Sequence, residues 1–320
     1  MSRVLILGSR GRVGAALVRA WSDRHDVHAL ARPELDVANL PALAQLLAGA
    51  EFDLLVNATG LTNVDLCEVA RDEATTVNTA APGLMARVAA EKNARLIHFS
   101  TDYVFDGVQT EPYREMDPAR PLGHYGQTKL DGETAVLASS DRHVVVRVSW
   151  VFGPDKPSFV EMILERALAN DRVEAIADKI SSPTSALDLA EWLDPFLDAE
   201  ASSAPVGGLY HACNSGACTW QAYGQHVLDV AGRAGWPLRA LSVDPIALAD
   251  LKNFSAPRPP HTALETKKLA AVIGHPPRPW QEALEEYILQ KKHTSRKGRQ
   301  GRKGKSDTAG SDKPRPTPIP

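Results

Sequence analysis

The stretch RVLILGSRGRVG, from Arg3 to Gly14, decides the fold. Its first five residues end in an unbroken apolar run, as strands do when a parallel sheet buries both their faces. Gly8, Gly11 and Gly14 follow. The first glycine lets the chain turn tightly, the second lets backbone N–H groups approach a pyrophosphate, and the third lets helix and strand pack closely. Val13–Trp21 then reads as a helix whose N-terminus offers unpaired N–H groups and a positive dipole end to an anion. Strand, glycine loop and helix in that order form a dinucleotide-binding fingerprint.

The pattern repeats outward from there. Val27–Leu30, Asp53–Asn57, Arg95–Phe99 and Val144–Val148 are further short apolar runs that read as strands. Leu40–Ala48, Ala74–Lys92 and Tyr125–Leu137 lie between them and read as helices. Strand–helix alternation implies right-handed crossovers and an α/β fold: a doubly wound parallel sheet of Rossmann type. The pattern changes after Val151. Pro157–Asn170, Asp188–Asp198, Thr219–Ala234 and Trp280–Gln290 read as helices, Gly207–Ala212 as a strand returning to the body, and Pro257–Pro260 as a rigid connector. The expected division is a NAD(P)-binding domain over 1–150, a smaller C-terminal substrate lobe over 151–290 and a basic tail over 291–320.

That tail holds ten Lys/Arg against Asp307 and Asp312 and almost no large apolar residues, so it is expected to be disordered. It carries +8 of a chain total of −3, which leaves the first 290 residues at −11. So acidic a body is not expected to bind nucleic acid, and only the tail could meet an acidic partner. Cys67, Cys213 and Cys218 are too few and too irregularly spaced for a disulfide framework or a zinc site, so no metal is expected. No signal peptide and no membrane-spanning run is recognised, and the expected location is the cytoplasm.

Tyr125 and Lys129 are four residues apart and so share one face of a helix. A neighbouring ammonium favours a phenolate, so Lys129 is expected to lower the Tyr125 pKa and make it a proton donor at a carbonyl carbon. Upstream, a hydroxyl from Ser100 or Thr101 at the carboxyl end of a strand would complete the pair that polarises the carbonyl. Arg10 and Arg12 in the glycine loop, with Arg32 after the second strand, could pair with a 2′-phosphate, which favours NADPH over NADH. Asp36 and Val37 follow at a position suited to the adenine.

These runs resemble the extended short-chain dehydrogenase/reductase superfamily, and within it the dTDP-4-dehydrorhamnose reductase family. The resemblance covers about residues 3–290. It is carried by GSRGRVG at Gly8–Gly14, DLLVNAT at Asp53–Thr59, TNVD at Thr62–Asp65, STDYVFDG at Ser100–Gly107, YGQTK at Tyr125–Lys129, RVSWVFG at Arg147–Gly153, SSPTSA at Ser181–Ala186 and RPPHTAL at Arg258–Leu264. It implies hydride transfer from NADPH, or NADH, to the C4 ketone of a sugar nucleotide, with Thr101, Tyr125 and Lys129 as catalytic residues. It also implies that Gly8, Gly11, Val13, Gly14, Asn57, Ala58, Thr59 and Ser100, with Tyr125 and Lys129, lie against the cofactor. Thr62, Val64, Tyr103, Trp150 and Arg258 would meet the substrate, Trp150 by stacking and Arg258 by its guanidinium fork on a pyrophosphate. A homodimer is the expected assembly. Arg10 departs from the small or polar residue usual at its position, and the basic tail is not a feature of the family. Two alternatives share the fold: another sugar-nucleotide reductase or epimerase, and a non-catalytic cofactor-binding subunit like the regulatory subunit of methionine adenosyltransferase.

Overall fold

The apolar runs become neighbouring strands. The computed structural model describes residues 1–197, 207–251 and 254–303. The first half runs β1 (Arg3–Leu7), α1 (Arg12–Trp21), β2 (Asp26–Leu30), α2 (Leu40–Gly49), β3 (Leu54–Asn57), α3 (Val64–Val69), α4 (Arg71–Thr75), a π turn (Thr76–Ala80), α5 (Ala81–Glu91), β4 (Arg95–Thr101), α6 (His124–Leu137) and β5 (Val144–Val148). The second half adds β6 (Val151–Phe152), α7 (Phe159–Ala169), β7 (Val173–Ile176), β8 (Ile180–Ser181), β9 (Thr184–Ser185), α8 (Ala186–Trp192), β10 (Gly208–His211), β11 (Cys218–Thr219), α9 (Trp220–Arg233), β12 (Val243–Ile246), α10 (Lys267–Ile273) and α11 (Trp280–Lys303).

The main sheet has six strands in the order β2-β1-β3-β4-β5-β10, and every pairing is parallel. Strand order reverses between β1 and β3, so a crevice opens beyond their carboxyl ends, where open α/β sheets bind ligands. One face is covered by α1 and α8, which bury Ala16, Leu17, Trp21, Leu189 and Trp192 against Ile6, Val56 and Val146. The opposite face is covered by α2 and α5, through Leu43, Leu47, Met85, Ala86 and Ala89. The second lobe has its own core, in which Ile163 and Leu164 of α7 meet Val227 and Leu228 of α9 and Leu284 and Ile288 of α11. Because α8 and β10 return to the sheet, the lobes are interleaved along the chain.

Three expectations need correcting. The helix read over Ala74–Lys92 is broken into α4, the π turn and α5. Pro82 has no N–H to return to the Asn78 carbonyl, so the ladder widens there. The freed carbonyl lies against α6 at Gly132, where any Cβ would fall on the Asn78 oxygen. The helix read over Asp188–Asp198 starts earlier, at Ala186, and gives way to a 3₁₀ turn at Asp194–Phe196 that contains Pro195; Asp198 lies outside the described residues. The tail was expected to begin at Lys291, but α11 continues to Lys303. Lys291 Nζ pairs with Glu161 at 2.9 Å, and Lys292 donates to the Ala234 carbonyl. The rest of the expected tail, 304–320, lies outside the described residues. Among the described residues no helix is long and apolar enough to cross a membrane.

Candidate functional site

The glycine loop folds across the ends of β1 and β3. Gly8 has φ of 90°, a left-handed conformation, and its N–H donates to Leu30 O at 2.8 Å. A Cβ on Gly8 would stand 2.6 Å from the Ala58 carbonyl oxygen, so loop and strand approach more closely than any side chain allows. Beside it opens a cleft of about 640 Å³. Gly8, Arg10, Gly11, Arg32, Asp36, Val37, Ala58 and Thr59, all singled out in the sequence, line it. So do Leu35 and Val77, which stand in the family-like runs LDV and VN, and Gly60, Leu61, Glu73 and Lys156. Val13, Gly14, Asn57, Ser100, Tyr125 and Lys129 are not among its lining. Gly14 instead packs under the loop, where a Cβ would fall on the Gly8 carbonyl. Asn57 points inward: it accepts from Thr59 N–H at 3.1 Å and pairs with His98 at 3.0 Å.

The three arginines separate. Arg12 donates to the carbonyls of Val151 (2.8 Å), Pro157 (2.6 Å) and Lys156 (3.5 Å), so it clamps the loop to the second lobe and is not turned to a 2′-phosphate. Arg10 pairs with Glu34 at 2.9 Å and donates to Arg32 O at 2.9 Å, on the rim of the cleft. Arg32 lines the cleft itself.

The Tyr125–Lys129 helix, α6, lies on the carboxyl end of β4. It can sit this close because a Cβ on Gly126 would fall on the Tyr103 carbonyl. Tyr125 and Lys129 are both buried. Burial pushes the Tyr125 phenol above its ordinary value, and a hydrogen bond with Thr101 opposes that rise. The expected depression by Lys129 does not occur, because Lys129 Nζ donates to Phe99 O at 2.6 Å. Burial instead pushes the lysine itself down to about 8, against the pull of Glu133. Ser100 and Thr101 turn to different partners. Ser100 Oγ donates to Glu133 at 2.5 Å, within a buried Arg147–Glu133 ion pair, while Thr101 is the hydroxyl that meets Tyr125.

Of the residues expected to meet substrate, Tyr103 touches this pair. Tyr103 packs edge-on to Tyr125 with ring centroids 5.8 Å apart. Its other neighbour is the buried Lys179 ammonium, 4.9 Å from the ring centre. Trp150 has φ of 48°, rare for a bulky residue, and sits 4.8–5.1 Å from the rings of Phe159, Trp220 and Tyr223. Arg258 is held in place: it pairs with Asp65 at 2.6 Å, donates to Ala256 O and lies over the Phe254 ring. Asp65 also accepts from the Ser255 and Ala256 N–H groups. Burial opposes ionisation there, but these bonds and Arg258 win and hold its carboxyl down to about 2. Thr62 is exposed and Val64, at the start of α3, half-buried. Single residue types had drawn no notice to Asp102 or Lys179. Asp102 is buried and accepts from Ser149 Oγ (2.8 Å), Thr262 Oγ1 (2.5 Å) and Thr101 Oγ1 (3.2 Å). Lys179 donates to Pro259 O at 2.6 Å, and burial pushes its amine down to about 8. Both stand inside or beside runs already recognised, STDYVFDG and SSPTSA, and a charged residue there was the available signal. Among the described residues no cluster of three or more His, Cys, Asp or Glu is placed to hold a metal ion.

Residues 2–293 match the family described as RmlD substrate binding domain. The chain is 32% identical over 292 residues to spore coat polysaccharide biosynthesis protein SpsK of Bacillus subtilis, covering 91% of this chain and 98% of that one. It is 31% identical over 287 residues to dTDP-4-dehydrorhamnose reductase of Aggregatibacter actinomycetemcomitans, covering 89% and 97%. Among solved structures it superposes with a TM-score of 0.82 on dTDP-4-dehydrorhamnose reductase of Bacillus anthracis in complex with NADP. That match is 25% identical and covers 90% of this chain and 99% of the other.

Proposed function

This chain belongs to the RmlD substrate binding domain family, and from that premise we propose that it reduces the C4 ketone of a sugar nucleotide with NADPH, or NADH. The substrate we infer is dTDP-4-dehydro-L-rhamnose and the product dTDP-L-rhamnose. The observation that carries the proposal is the meeting of Thr101 and the buried Tyr125 at the end of β4, with Lys129 one helical turn on. A subunit that only bound cofactor would have no use for that set.

The cleft beside the glycine loop suits a dinucleotide: Gly8 and Gly11 bring bare backbone to its wall, and α1 begins there. When bound, the nicotinamide supplies a hydride to C4. The protein must then deal with the negative charge that develops on the ketone oxygen. Tyr125 gives its phenolic proton to that oxygen. A phenol whose pKa is pushed up by burial holds its proton at neutral pH and releases it only to a strong base such as an alkoxide. Thr101 fixes where the phenol and the ketone oxygen stand. Lys129, buried with its Nζ on Phe99 O one turn along α6, is proposed to hold the nicotinamide ribose. Arg258 and Tyr103 are proposed to meet the nucleotide-sugar, with Trp150 stacking on a ring. For Arg258 that requires exchanging one Asp65 contact for a phosphate oxygen.

Tyr125→Phe tests the assignment. It removes only the proton, so NADPH affinity, read by nicotinamide fluorescence, should stay within about threefold while kcat falls by about 10²-fold or more. A Phe variant with wild-type kcat would remove Tyr125 from the mechanism.

A further inference from the structure

Asp102 is an unusual carboxylate. It is 4% exposed, yet among the described residues no Lys or Arg lies within ion-pair distance of it. Its charge is met by hydroxyls. Oδ2 accepts from Ser149 at 2.8 Å and Thr262 at 2.5 Å, and Oδ1 accepts from Thr101 at 3.2 Å. The Lys179 ammonium acts on it through space and spends a hydrogen bond on Pro259 O. Burying a carboxylate in this way is costly, and an amide or an apolar side chain would fill the volume with less penalty.

The three donors come from three separate segments. Thr101 ends β4 and bears on Tyr125, Ser149 follows β5, and Thr262 belongs to the second lobe, four residues after Arg258. Thr101 has one hydroxyl proton, and its oxygen also accepts from Tyr103 N–H at 3.2 Å. Held from two sides, the Thr101 side chain is fixed about its Cα–Cβ bond, so its oxygen stays where Tyr125 needs it.

We propose that Asp102 is a positioning residue for the Thr101–Tyr125 pair, and that through Thr262 it makes the placement of Thr101 depend on docking of the Arg258–Leu264 segment. The role rests on the reductase activity proposed above. Asp102 touches neither the ketone nor the cofactor in this scheme and acts through Thr101. Asp102→Asn keeps the volume but leaves one acceptor oxygen for three hydroxyl donors. Ser149 and Thr262 together claim that oxygen. The amide N–H₂ then faces Thr101 and reverses its hydrogen bond.

The test is a double-mutant cycle on kcat, with dTDP-4-dehydro-L-rhamnose made in place and NADPH as reductant. Loss of a hydrogen bond to a charged partner predicts that Asp102→Asn lowers kcat about 10- to 100-fold, with KM and NADPH affinity within about threefold. In a Thr101→Val background the same substitution should cost less than about twofold, because the group through which it acts is gone. Thr262→Val should reproduce part of the loss and Thr262→Ser should restore it. Multiplicative losses in the cycle, or equal activity of Thr262→Val and wild type, would overturn the positioning role while leaving the reductase activity in place. If the wild type reduces no 4-keto sugar nucleotide, the reductase activity is wrong and this role falls with it.

Discussion

Replacing Arg147 by Met should unfold this protein at markedly lower denaturant. Arg147 and Glu133 are each 3% exposed at the side chain and pair at 2.6 Å, with a second bond from Nε at 2.9 Å. Ser100 adds a third hydrogen bond to the carboxylate at 2.5 Å, and the guanidinium lies 4.9 Å from the Phe105 ring centre. Met fills most of the volume but leaves Glu133 buried with one hydroxyl partner. Breaking a buried pair from one side costs about 3–5 kcal/mol, against about 0–1 kcal/mol for an exposed pair. At an m-value of about 3 kcal/mol per molar urea, the midpoint should fall by roughly 1–1.7 M with the slope unchanged. The control is the double variant Arg147→Met with Glu133→Leu, in which no charge is stranded. It should recover most of the midpoint, because two apolar side chains replace a pair that gains little over its desolvation cost. Urea unfolding followed by tryptophan fluorescence and circular dichroism reads both variants. A single variant within about 1 kcal/mol of wild type, or a double variant worse than the single, would refute the idea that desolvated charge dominates here.

Two further outcomes follow from the same geometry. Arg12 is engaged by three carbonyls, so Arg12→Ala should weaken NADPH and NADH binding alike, whereas Arg32→Ala should weaken NADPH selectively; titration by fluorescence checks both, and a change in the ratio of affinities with Arg12→Ala would contradict the clamp. Lys129 and Lys179 are pushed down to about 8 in the folded protein from an ordinary value near 10.5. The unfolded chain therefore binds more protons than the folded one between pH 8 and 10.5, and stability should rise with pH in that window. Above pH 10 the buried tyrosines Tyr103 and Tyr125, pushed upward, act in the opposite sense. Lys179→Met should flatten the rise between pH 8 and 10 in urea midpoints, and an unchanged rise would mean that burial does not lower the Lys179 amine.

Much of the sheet was legible because its strands are buried on both faces and so read as unbroken apolar runs: Val4–Leu7, Leu54–Val56 and Val144–Val146 leave no periodicity to misread. The glycine loop was legible because the close approach of Gly8 to Ala58 admits no other residue. Hydrogen-bond allegiance was hidden. Arg10, Arg12 and Arg32 are alike in sequence, and only the fold shows that one clamps a lobe, one pairs with Glu34 and one faces the cleft. The direction of the Tyr125 shift was misread for a related reason. Sequence spacing puts Lys129 near the phenol, but burial acts on both groups and Lys129 turns to Phe99 O. Asp102 escaped notice because its partners, Ser149 and Thr262, are 47 and 160 residues away. The break at Asn78 lay in a single residue, Pro82, inside a helical pattern that otherwise ran on.

The proposed activity is reduction of a sugar-nucleotide ketone by NADPH, catalysed by Tyr125, Thr101 and Lys129. Its most direct test is NADPH oxidation, followed at the nicotinamide absorbance, with dTDP-4-dehydro-L-rhamnose supplied by a 4,6-dehydratase and an epimerase acting on a dTDP-hexose. Oxidation should require both supplying enzymes and be lost in Tyr125→Phe. Tight NADPH binding with no oxidation in the wild type, for this or any other 4-keto sugar nucleotide, would contradict it.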